Sequence, residues 1–106
     1  MSLLGYITGA NKRNKLRDAM DAGAIVIDIR PSSQYLKGHF KDARNMPSGV
    51  INSRIDILIK EARPIIIYGE TKNEAASVVE MLSAKGILAL NGKTFTSMQS
   101  LMMSNF

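Results

Sequence analysis

The chain has 106 residues, 45% hydrophobic and 22% charged, which is sufficient for one globular core without metal or disulfide support and argues against wholesale disorder. It contains no cysteine, so disulfides, thiolate metal sites and thiol catalysis are excluded, and a cytoplasmic setting is expected. A net charge of +5, from 14 basic and 9 acidic residues, is spread too evenly to read as a nucleic-acid surface: beyond the cluster Lys12, Arg13, Lys15 and Arg17, the cations are scattered and have no interleaved aromatic platform.

Residues 1–10 are set aside as an opening segment outside the fold, and the whole chain, 1–106, is expected to be one domain. Leu16, Ala19 and Met20 recur at helical spacing, with Gly23 as a stop, which predicts an amphipathic helix over 11–22. Ala24 to Ile29 is a β-branched apolar run with one carboxylate, Asp28, near its end, and Arg30-Pro31 closes it. This reads as a buried parallel strand. One helical turn fits residues 32–37, and a short extended segment follows at Arg44 to Pro47. Ile51, Ile55, Leu58 and Ile59 then predict an inward helical stripe between Val50 and Glu61.

Ile65-Ile66-Ile67-Tyr68 is the most apolar stretch and reads as a central strand covered on both faces. Thr71 and Glu74 have capping-box spacing, starting a helix that runs to Lys85 along Ala75, Val78, Val79 and Leu82 and stops at Gly86. Ile87 to Leu90 is expected to be the last strand, Asn91-Gly92 a turn, and Phe95, Met98, Leu101 and Met102 the inward side of a closing helix. Met20 and Met81 also fit core stripes. No run approaches the roughly 20 apolar residues needed to span a bilayer. The alternation of strand and helix predicts a three-layer α/β domain with a central parallel sheet flanked by helices, and places sites beyond the carboxyl ends of the strands.

Three stretches carry a resemblance. Ile25-Val26-Ile27-Asp28-Ile29-Arg30, Tyr35-Leu36-Lys37-Gly38-His39-Phe40 and Ala43-Arg44-Asn45-Met46-Pro47 resemble the first half of a rhodanese-like domain. Members of that family show Asp-Val-Arg at a strand end, then Tyr-x-x-Gly-His-Ile, then Ala-x-Asn-Ile-Pro. Residues 65–86 resemble the strand, active loop and helix of its second half, without gaps. The resemblance covers about residues 24–86; Asp42 replaces a common glycine, and the tail from Gly92 lacks the family's frequent Gly-Gly followed by tryptophan.

In the family the active loop begins with a cysteine that carries sulfur as a persulfide, with backbone amides at a helix N-terminus curled around it. The corresponding loop here is Gly69, Glu70, Thr71, Lys72, Asn73 and Glu74, with glycine at the cysteine position and glutamate where arginine often closes the loop. A glycine has no side-chain atom to ionise or attack. Two carboxylates against one lysine oppose an anionic ligand, so the loop is expected to keep its curled shape while binding anions poorly.

No other residue is expected to take over catalysis. His39 reads as a turn residue, no metal site or cofactor is expected, and Thr71 reads as a helix cap. Asp28 and Arg30, at a strand's carboxyl end, are candidates for supporting the site or for fixing the loop. The resemblance therefore implies a rhodanese-like domain inactive as a sulfurtransferase, used as a binding or regulatory module for another protein or a fused domain. Two alternatives stay open: a sulfurtransferase whose cysteine was replaced at position 69, and a structural domain of a larger protein.

Overall fold

The computed structural model describes residues 9–103, with side chains from Lys15 onward. In chain order the elements are α1 (Gly9–Asp21), β1 (Ile25–Asp28), α2 (Ser32–Lys37), β2 (Arg44–Asn45), a 3-10 turn (Ile51–Arg54), α3 (Ile55–Glu61), β3 (Ile65–Gly69), α4 (Lys72–Ala84), β4 (Ala89–Thr94) and α5 (Phe95–Met103). The strands form one four-stranded sheet in the order β2-β1-β3-β4, every pair parallel.

The largely apolar runs at 25–29 and 65–68 serve two cores at once, because successive side chains in a strand point to opposite faces. Ile25, Ile27, Ile29, Ile65 and Ile67 face one layer, with Ile51, Ile55, Leu58, Ala75, Val78 and Leu82 from the turn, α3 and α4. Val26, Ile66 and Tyr68 face the other, with Ala19 of α1 and Met98 of α5. The register Ile25↔Ile65 through Asp28↔Tyr68 keeps the alternation of the two central strands in phase. Among the described residues, no helix is long and apolar enough to cross a membrane.

The structure corrects three local expectations. Asn91-Gly92 is not a turn: β4 begins at Ala89 and runs through both residues to Thr94. Ile67 pairs with Asn91 and Tyr68 with Lys93, so Gly92 is an extra residue in a bulge. Asn-Gly favours a hairpin when two antiparallel strands flank it, and here the parallel partner β3 captures it instead. Second, the helix expected over 50–61 divides into the 3-10 turn and α3. Ile51, Ile55 and Leu58 are buried as expected, but Ile59 is 48% exposed; it lies about 100° around the helix from Leu58, at the edge of the stripe. Third, Met98 is fully buried whereas Met102 is 54% exposed.

The end of α3 carries a conformational cost. Ala62 caps it in the left-handed region (φ 51), its N–H bonding to the carbonyls of Leu58 and Ile59. A β-carbon is disfavoured there and a glycine is not. Ala62 is exposed, so little packing is lost by removing its methyl. Ala62→Gly is expected to stabilise the domain by about 0.5–1 kcal/mol, seen as a higher urea midpoint at unchanged slope.

Candidate functional site

The strand order reverses between β1 and β3: the chain leaves β1 for β2 on one side and β3 for β4 on the other. A crevice at the carboxyl ends of such a pair is where open α/β sheets hold ligands. Gly69 ends β3 there, opposite Thr94 of β4. Glu70 and Thr71 follow, and α4 starts at Lys72. Thr71 is the cap in extended backbone (φ −132, ψ 156), its Oγ1 accepting from the Glu74 N–H at 3.1 Å. Asn91 Nδ2 donates to the Lys72 carbonyl at 3.2 Å, tying the first turn of α4 to β4. The side chains of residues 70–74 are exposed, so the carboxylates of Glu70 and Glu74 stand in solvent around the loop rather than beneath it.

Beneath the loop, Gly69 has no room for a side chain. A β-carbon added to Gly69 would stand 2.9 Å from Ile29 Cγ1 and 3.1 Å from Ile29 Cδ1. Carbon atoms pack at about 3.5–4.0 Å, so no larger residue fits unless Ile29 moves. Ile29 is only 3% exposed and lies in the core layer of α3 and α4, which restricts that movement. Ile29 is the residue that sequence reasoning missed. Its signal was the pattern Asp-Ile-Arg where the resembled family has Asp-Val-Arg, one carbon longer at the residue beside Gly69.

Asp28 and Arg30 belong to the opposite layer. Asp28 is wholly buried and Arg30 is 9% exposed. Arg30 grips the carboxylate with Nε at 3.0 Å from Oδ1 and NH2 at 2.7 Å from Oδ2, and its backbone N–H adds a bond to Oδ1 at 2.9 Å. The Tyr68 hydroxyl donates to Oδ2 at 2.7 Å and accepts from the Phe40 N–H at 3.0 Å. A second bond from Arg30 NH2 reaches the Gly38 carbonyl at 2.7 Å. The guanidinium also lies 4.9 Å from the Phe95 ring centroid and 5.5 Å from that of Tyr68, within cation–π reach. Asn45 Nδ2 donates to the carbonyls of Asp28 and Arg30, both at 3.0 Å.

The electrostatics follow from this packing. Burial, then the hydrogen bond to Asp28, push the Tyr68 hydroxyl above its ordinary pKa, and the Asp28 bond holds the Arg30 guanidinium more firmly protonated. Among the described residues, no buried side-chain nitrogen or oxygen lacks a partner. The network thus ties the ends of β1 and β3 to the connection running from Gly38 to Asn45, through the Gly38 carbonyl, the Phe40 N–H and the Asn45 side chain.

His39 stacks on Tyr35 with ring centroids 3.7 Å apart and sets Nδ1 2.9 Å from the Tyr35 carbonyl. Among the described residues, no group of three or more His, Asp or Glu side chains is assembled that could hold a metal ion. Asp42, at the position where the family commonly has glycine, adopts φ 64, the left-handed backbone that glycine occupies without cost.

The family model for the rhodanese-like domain matches residues 12–96. No curated protein and no solved structure matches the chain. The matched stretch contains both central strands, the loop and α4, and on that match and its parallel sheet the chain, which has no cysteine, belongs to the rhodanese-like domain family.

Proposed function

We propose that this domain is silent as a sulfurtransferase and acts as a binding or regulatory module for another protein or a fused domain, the chain forming one such domain in the cytoplasm. The carrying observation is the packing of Ile29 against Gly69, 2.9 Å from where a β-carbon would stand. A sulfurtransferase of this family needs a thiolate there to take the outer sulfur of a donor as a persulfide. The chain has no thiol anywhere, and the space for one is occupied. The exposed carboxylates of Glu70 and Glu74 further support recognition by a surface rather than capture of a small anion.

Thiosulfate and cyanide test this directly. Thiocyanate formation by the purified protein is expected to stay at the buffer blank, and Gly69→Cys alone is expected to remain there, because the new side chain meets Ile29 and a thiolate would face two carboxylates. Protein-dependent turnover by the native chain would refute the reading.

A further inference from the structure

At the end of the sheet away from the loop, the amino ends of β3 and β4 border an open cleft. Here α3 stops at the left-handed Ala62 and the chain after α4 turns at Gly86 (φ 83). Between these turns lies a cleft of about 430 Å³, lined among others by Leu58, Ile59, Arg63, Lys85, Ile87 and Leu88. That volume is within the range of ligand-sized clefts. Two of its apolar side chains are presented to water, Ile59 at 48% and Leu88 at 63% exposure. Neither exposure serves the core.

The charge of the cleft has one sign. Its lining includes two cations, Arg63 and Lys85, and no carboxylate. Outside the lining, Glu61 pairs with Arg63 at 3.7 Å but is held more closely by Arg44, at 2.6 and 2.9 Å to its two oxygens. Arg63 is itself positioned, its Nε donating to the Gly23 carbonyl at 2.6 Å. No aromatic ring lines the cleft, so it lacks the stacking platform that a nucleic-acid strand would use.

We infer that this cleft is the contact surface of the module, and that its occupant is an acidic protein segment. The segment sets a bulky apolar side chain between Ile59 and Leu88 and carboxylates toward Lys85 and Arg63. The apolar anchor supplies affinity as water is excluded from Ile59 and Leu88, and the charges supply orientation and rate of encounter. This inference rests on the binding-module reading above and places the contact at the end of the sheet away from the former active loop.

A displayed library of random short peptides, selected on the purified protein, is the probe. Enriched peptides are expected to pair a large apolar residue with Asp or Glu, and their binding is expected to weaken as salt rises. Affinity should fall roughly tenfold or more in Leu88→Glu and more modestly in Lys85→Gln. Leu36→Glu, altering a side chain 79% exposed on α2, should bind as the native chain does. Circular dichroism confirms the fold of each variant, which exposure of the altered side chains favours.

Three results overturn the inference: no enriched peptide, enriched peptides that lack acids, or peptides that bind Leu88→Glu as tightly as the native protein. A dimer of the native chain that Leu88→Glu dissociates would also overturn it, by making the cleft a self-interface. None of these touches the absence of sulfur transfer. Thiocyanate formation above the blank would instead remove the module reading, whatever the peptides do.

Discussion

Arg30→Leu is expected to destabilise the domain by about 3–5 kcal/mol, because it strands a buried charge rather than merely removing a contact. Asp28 is wholly buried, and Arg30 provides its ionic partner at 2.7 Å. Leucine can fill part of the volume but cannot meet the carboxylate, and the Gly38 carbonyl also loses its donor. The remaining bonds to Asp28, from the Tyr68 hydroxyl and the residue-30 backbone N–H, are two hydrogen bonds facing a full negative charge. Urea unfolding of Arg30→Leu should show the loss as a lower midpoint. Adding Asp28→Asn should return part of it, since the amide carries no charge to bury. A loss under about 1 kcal/mol would mean that the pair is screened by solvent, contrary to its burial.

Gly92→Ala is expected to cost about 1–3 kcal/mol by overpacking. A β-carbon there would stand 2.7 Å from Met98 Sδ, 2.9 Å from Ile66 Cγ2 and 3.1 Å from the Ile67 carbonyl oxygen. Methionine is adaptable and can yield. The carbonyl belongs to β3 and Ile66 is fully buried, so those two contacts cannot be relieved without shifting the central strand. Gly49→Ala is the matched control, having nothing within 4 Å of its added carbon, and should stay within about 0.5 kcal/mol of the native chain. If both alanine variants unfold at the same urea concentration, the close approach at Gly92 carries no weight.

The two positions also show what sequence patterning can and cannot reach. Asp28 and Arg30 were visible as a polar pair at the end of an apolar strand, but not the layer they face. Only the pairing of Asp28 with Tyr68 on β3 brings the hydroxyl to the carboxylate from 40 residues away. Asn91-Gly92 showed local turn chemistry because local preference is all that a dipeptide contains. The partner strand overrode it, a parallel neighbour with a bulge offering backbone bonds that an isolated turn does not. Thr71, by contrast, caps α4 as its spacing with Glu74 indicated, since both ends of that bond lie within one turn of chain.

Three features were legible in the sequence alone: the alternation of strands and helices, the parallel sheet with two covered faces, and the absence of any thiol. Those features depend on periodicity, on β-branched runs and on residue identity, all of which are local. Only the tertiary structure places Ile29 against Gly69, joins Arg30 to the Gly38 carbonyl and Asn45 to the Asp28 carbonyl, and sets Ile59, Leu88 and Lys85 around one open cleft. Each of these joins residues distant in sequence. Which atoms approach within contact distance depends on strand register and helix placement, and a change of one residue in register reverses the face that every side chain presents.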